Sequence, residues 1–222
     1  MAEQAWETKS KERLRTFLKK NTKSLETLRA RDAVEADTRT FVTDVLVEGL
    51  GFDKYEDLTA EYLVRGEFAD IGIRLDKKLK AFVEIKRIST ELKESHLRQV
   101  KTYCANEGVE WAILTNGRNW QVYHISSTTP IQEVLILDID LLGDAPLAER
   151  VSQLNSISRE ALVKQVLTAE WNAIRSLNPE NIWAALRSAP VMAALRAQIR
   201  KSTGQLVDIK KLTAAIRDLE KK

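Results

Sequence analysis

The chain has 222 residues, of which 44% are hydrophobic and 30% charged; these proportions suit a folded protein with a sizeable core and argue against wholesale disorder. The opening residues, MAEQAWETKSKERLR, hold no apolar stretch of the signal-peptide kind, and no apolar run approaches the roughly 18 to 20 residues that span a bilayer. Cys104 is the only cysteine, which excludes an intrachain disulfide and an all-cysteine zinc site. A cytoplasmic protein without membrane attachment is therefore expected. The net charge of +3 is unevenly divided along the chain. Residues 1–34 carry nine Lys/Arg against five Asp/Glu (+4), and residues 35–150 carry 14 against 21 (−7). Residues 151–186 balance, and residues 187–222 carry nine against three (+6). An acidic middle between basic ends suits a site that collects cations, flanked by surfaces that could hold a polyanion. The plain alternative is that the basic helix faces are simply solvated.

In chain order, Leu14, Phe17 and Leu18 sit at helical spacing among basic residues, and Leu25 and Leu28 continue the pattern after a polar break at Asn21–Thr22. A stronger helix is predicted from about Val34 to Leu50, with Phe41, Val42, Val45 and Leu46 on one face and Gly49 and Gly51 ending it. The period then changes. Residues 68–75 alternate, with Ile71, Ile73 and Leu75 opposite Asp70, Gly72 and Arg74. Residues 79–86 alternate again, with Phe82, Glu84 and Lys86 on one side. Between them, Asp76-Lys77-Lys78 reads as a hairpin turn without the strong Asn-Gly signal. A helix is expected from about Glu91 to Asn106, closed by Gly108, followed by strands at 111–115, 120–125 and 131–137. The order is helix, two or three strands, helix, strands, so the fold class is α/β with a mixed sheet. The step from Lys86 to Trp111 should join parallel neighbours by a right-handed crossover. From Ala148 onward the pattern is helical. The division predicted is a basic helical extension over 1–34, a core over 35–148 and a helical region over 149–222.

The hairpin carries the chemistry. Asp70 and Glu84 project from neighbouring strands, and two close carboxylates repel unless a cation lies between them; a hard, oxygen-liganded ion such as magnesium is the natural partner. Lys86, two residues beyond Glu84, shares its side and can orient or help deprotonate a water, or stabilise charge growing on a phosphate. The backbone carbonyl of Ile85 could supply a further oxygen ligand. This is a donor set for metal-assisted phosphodiester hydrolysis. Taken alone, Asp-x(13)-Glu-x-Lys also describes an exposed, salt-bridged strand edge. Gln99 and Tyr103, four apart on the next helix, share a face and could bond to the catalytic side chains or to DNA backbone. Glu35 could add a carboxylate near the metal, or simply favour a helix N-terminus.

Glu35…Thr38-Arg39…Phe41, Leu50-Gly51-Phe52, Asp70, Glu84-Ile85-Lys86, Gln99-x-x-x-Tyr103 and Leu114-Thr115-Asn116-Gly117…Trp120…Tyr123 occur in the order seen in one family. Residues 35–138 thereby resemble the PD-(D/E)xK nuclease domain at the N-terminus of type I restriction enzyme R subunits, and stand-alone proteins described as predicted type IV restriction endonucleases. The resemblance implies a restriction-endonuclease-like core with helical extensions, and a DNA endonuclease of restriction or defence type. It implies magnesium, with manganese as an alternative, on Asp70 and Glu84. Lys86 would be the catalytic lysine, Glu35 an accessory acid, and Gln99 and Tyr103 a supporting helix motif. The chain departs from R subunits in having no Gly-x-x-x-x-Gly-Lys-Ser/Thr loop, so ATP-driven translocation is not expected.

Arg87, Arg196, Arg200 and Lys201 are candidate phosphate contacts, Arg196 and Arg200 sharing a helix face; no helix-turn-helix or zinc-finger spacing marks a DNA-reading module. His96 and His124 read as ordinary surface or sheet residues, and Cys104 as packing. Of the five tryptophans, Trp111, Trp120, Trp171 and Trp183 read as core and Trp6 stays open. Partners expected are DNA, a second copy of the chain, and a specificity or motor subunit. The rival reading is a non-catalytic nucleic-acid-binding protein, or a partner-dependent subunit, that retains the nuclease fold.

Overall fold

A computed structural model describes residues 4–126 and 130–219. The chain divides into two compact units, residues 1–169 and 170–222, each treated by itself. The first opens with α1 (Ala5–Ala30), α2 (Glu35–Asp44) and a π-helical turn (Val45–Gly49) that continues α2. The polar break expected in α1 does not interrupt it. Asn21 and Thr22 turn their side chains back onto the Phe17 and Leu18 carbonyls, at 3.0 and 2.6 Å, so their polar groups are satisfied without ending the helix. At Gly51 (φ +80°) a Cβ would run into the Arg13 guanidinium, which grips Glu160 through two bonds of 2.7 and 2.8 Å.

Among the described residues six strands follow: β1 (Leu58–Val64), β2 (Glu67–Leu75), β3 (Lys78–Ile85), β4 (Trp111–Thr115), β5 (Asn119–Ile125) and β6 (Glu133–Asp140). They lie in one sheet in sequence order. Among the described residues only β3 and β4 are parallel, joined through α3 (Glu94–Glu107), which Gly108 closes at φ +65°. The sheet is therefore mixed, and the fold is α/β. The β2–β3 turn places Asp76 and Lys77 at φ +51° and +64°, a two-residue turn of the hairpin-forming type built without glycine. β1 escaped the sequence reading as a located strand. Its residues do not alternate in burial, and Glu61, at φ +49°, breaks the pleat in its middle.

Both faces of the sheet are covered. On one, Phe82, Ala69 and Ala112 pack with Leu97, Val100, Tyr103 and Cys104 of α3. Alternating with them, Ala81, Val83, Ile85 and Ile113 are buried too. A Cβ on Gly72 would come within 2.7 Å of the Tyr62 ring, so glycine there lets Tyr62 lie edge-on to Phe82 at 5.3 Å. Trp111 and Trp120 are buried in the sheet, as the strand pattern requires. The unit continues through α4 (Leu147–Asn155) and α5 (Arg159–Val163), and α6 (Val166–Ser176) carries the chain onward.

The second unit holds α7 (Pro179–Leu186), α8 (Ala189–Thr203) and α9 (Ile209–Leu219) around a small core of Met192, Leu212 and Ile216, with Trp183, Leu195, Ile199 and Val207 packed against it. Among the described residues, no helix is long and apolar enough to cross a membrane.

Candidate active site

The site forms where the β2–β3 ladder stops. Pairing runs from the hairpin turn to Ile71–Val83, and one step further the register sets Asp70 opposite Glu84. There the backbone pairing gives way to a side chain: the Ile85 N–H donates 2.7 Å to Asp70 Oδ2. A strand residue sends its N–H and C=O to the same side, so the Ile85 carbonyl faces this opening as well. On the other side, β3 stays tied to β4, the Lys86 N–H donating 2.8 Å to the Thr115 carbonyl. The parallel strand thus holds Glu84 and Lys86 rigidly, while the antiparallel partner parts from them at Asp70.

Glu84 is the most deeply buried of the three, its side chain 4% exposed, against 12% for Asp70 and 20% for Lys86. Lys86 Nζ donates 2.6 Å to Glu84 Oε1, while Glu84 Oε2 is buried with no hydrogen-bond partner. Burial pushes the Glu84 carboxyl above its ordinary range; the Lys86 hydrogen bond opposes this and the charges of Asp70 and Glu35 add to it. For Lys86, burial favours the neutral amine, but the hydrogen bond to Glu84 and the charges of Glu84, Glu35 and Asp70 outweigh it, and its pKa lies above the ordinary lysine value. Lys86 is therefore a held cation.

Glu35 stands exposed at the first turn of α2, close enough for its charge to act on Glu84 and Lys86. Gln99 and Tyr103 share a face of α3, and Gln99 Nε2 donates 2.6 Å to the Tyr103 hydroxyl. That hydroxyl donates 3.2 Å to the Phe68 carbonyl, two residues before Asp70. The pair thus pins the strand that carries Asp70. Arg87 is paired with Asp32 at 2.5 Å on the surface. Arg196 donates 2.7 Å to the Val207 carbonyl inside the second unit, and Arg200 and Lys201 are exposed in the last turn of α8.

Sequence reasoning gave no role to Arg39, which reaches from α2 to bond Asp70 Oδ1 and lies 3.6 Å from Glu61. Its partners are 22 and 31 residues away, so no spacing rule exposes the cluster. The only signal was its place in the Thr38-Arg39 motif.

Among the described residues, no group of three or more His, Cys, Asp or Glu side chains gathers to hold a metal ion. The oxygens that could meet a cation here are those of the two carboxylates and of the Ile85 backbone carbonyl. Oxygen donors of this kind suit a hard ion, and Glu84 Oε2 is buried with no hydrogen-bond partner.

Neither the comparison with curated proteins nor that with solved structures gave a match. The family model of the type I restriction enzyme R protein N terminus covers residues 34–138, the segment that holds Asp70, Glu84, Lys86, Glu35 and the Gln99–Tyr103 pair.

Proposed function

We propose that residues 34–138 form a magnesium-dependent DNA endonuclease site of the PD-(D/E)xK type, in which water attacks a phosphodiester. The family of this segment supports a restriction-type nuclease acting on DNA. The observation that carries the finer reading is the break in the β2–β3 ladder, where two carboxylates and a lysine converge and one buried carboxylate oxygen is left without a partner. Asp70, Glu84 and the Ile85 carbonyl would hold the ion, manganese being an alternative. When bound, it supplies Lewis-acid polarisation of the scissile phosphate and activation of a water.

The protein's own groups do the rest. The Ile85 N–H fixes the orientation of Asp70, so this carboxylate enters the reaction already aimed. Lys86, tied to Glu84 Oε1 by a 2.6 Å hydrogen bond, is placed to donate hydrogen bonds. Its place is at the non-bridging oxygens, where negative charge grows as the water oxygen bonds to phosphorus and the ester oxygen leaves. Gln99 and Tyr103 act through Phe68 as positioning residues for Asp70.

The test is nicking of supercoiled plasmid by the purified protein with magnesium, with EDTA, and by Asp70→Asn and Glu84→Gln proteins whose folding is verified by circular dichroism. Magnesium-dependent nicking lost in both variants supports the site. Nicking that survives Asp70→Asn places the chemistry elsewhere, and DNA binding without nicking under any divalent ion favours a binding module.

A further inference from the structure

Arg39 sits between two acidic side chains that the sheet brings face to face. The β1–β2 register pairs Ala60 with Ile71 and Tyr62 with Ala69, which leaves Glu61 opposite Asp70. Like charges directly opposite on adjacent strands repel. Arg39 bridges them, through Nη2 to Asp70 Oδ1 and through Nη1, at 3.6 Å, toward Glu61. The two contacts differ in kind. Asp70 is 12% exposed and bonded closely, whereas Glu61 is 71% exposed and lies beyond hydrogen-bond distance. Arg39 Nε is buried without a partner, so the guanidinium is anchored by one end of its fork.

Resting on the proposed metal site, we infer that Arg39 is an internal stand-in for the divalent cation, bonding one oxygen of Asp70 and moving to Glu61 when the cation takes that oxygen. Asp70 has two oxygens; the Ile85 N–H holds one and Arg39 the other. A cation that binds Asp70 through the second oxygen must displace a positive group at contact distance and remain near it afterwards. Both steps oppose binding. Glu61 relieves the second, since it is near, exposed and free to close the 3.6 Å gap. Cation affinity is thereby lowered by a competition built into the protein, and Asp70 stays paired while no cation is present.

The experiment is a calorimetric titration of Mn2+ into the full-length protein without DNA, comparing wild type with Arg39→Gln, Arg39→Lys, Glu61→Gln and the Arg39→Gln/Glu61→Gln double variant. Arg39→Gln is expected to bind Mn2+ about tenfold more tightly than wild type, an effect opposite to that of losing a merely structural residue. Arg39→Lys keeps the charge and stays within about twofold of wild type. Glu61→Gln weakens binding about threefold alone but has no effect in the Arg39→Gln background, the non-additivity expected of an acceptor for Arg39. Equal or weaker binding by Arg39→Gln overturns the inference, as does a Glu61→Gln effect that persists without Arg39. Asp70→Asn separates the two levels. If it abolishes Mn2+ binding while Arg39→Gln gains nothing, only this inference fails; if binding survives it, the site reading fails too.

Discussion

Around Asp70 and Glu84, charged side chains are withdrawn from water into a gap in the sheet, where burial, ion pairing and mutual repulsion all act on them. Around Arg200 and Lys201, charges lie exposed on the last turn of α8 over a core with three buried apolar side chains. Removing a carboxylate from water costs free energy that folding recovers only by precise pairing. A site that leaves Glu84 Oε2 unpaired bears a cost that a bound cation would relieve. The exposed charges of α8 bear no such cost. Their field reaches a polyanion at a distance but is screened by salt and fixes no reacting atom. The proposed function assigns chemistry to the first region and attraction of a polyanion to the second.

The sharpest way to break this contrast is to remove charge from each region and compare cleavage rates. Asp70→Asn or Glu84→Gln is expected to lower the nicking rate by at least about 10³-fold, the scale of losing a preorganised electrostatic group. Arg200→Ala with Lys201→Ala should leave the maximal rate within about threefold and weaken DNA binding, by an amount that shrinks as salt rises. A comparable loss of maximal rate from both regions would erase the distinction.

A second contrast concerns Cys104, which is buried against the sheet with its Sγ 3.5 Å from the Trp111 carbonyl. Burial pushes its thiol pKa up to about 12. Labelling by iodoacetamide in the native protein at pH 8 should be at least about 100-fold slower than in the denatured chain. Equal rates would show that the α3 face of the sheet opens readily. Tyr103→Phe removes only the hydroxyl that bonds the Phe68 carbonyl. It should cost about 1 kcal/mol of stability by denaturant melting. Nicking should fall several-fold at most if Tyr103 acts, as proposed, by positioning Asp70 through the Phe68 carbonyl.

The smallest effect expected involves Arg118 and Asp140, an ion pair outside the site with side chains 27% and 29% exposed. The Arg118 hydrogen bonds, aided by the Leu142 N–H and the charges of Arg118 and Arg29 and opposed by burial, hold Asp140 below its ordinary 3.8. A lowered folded-state pKa contributes stability that is fully present above 3.8 and is lost as pH falls through the folded-state value. Arg118→Ala should therefore cost about 1 kcal/mol near neutrality, with the difference from wild type shrinking below pH 4. A difference that does not change with pH would assign the effect to packing.

What the sequence showed and what it hid follow the same physical line. The β2–β3 hairpin was readable because Ile71, Ile73, Phe82 and Glu84 alternate, and alternation is a local property of one strand. So were α3, its glycine stop at Gly108, and the strands around Trp111 and Trp120. β1 was hidden because Glu61 interrupts its pleat, and the full length of α1 because Asn21 and Thr22 mimic a boundary while bonding back to their own helix. Of the proposed site, strand alternation placed Asp70, Glu84 and Lys86 near one another, and the family resemblance gave them their roles. The Arg39 bridge was not legible, since it joins three elements through contacts that no periodicity encodes.

The most direct test of the nuclease reading is nicking of supercoiled plasmid in magnesium by Lys86→Ala beside wild type, with Mn2+ and DNA affinities measured on the same preparations. Wild type should nick, EDTA should stop it, and Lys86→Ala should lose nicking while still binding both metal and DNA. Nicking by Lys86→Ala at the wild-type rate would contradict the assignment of Lys86 to the chemistry and, with it, the site built on the β2–β3 hairpin.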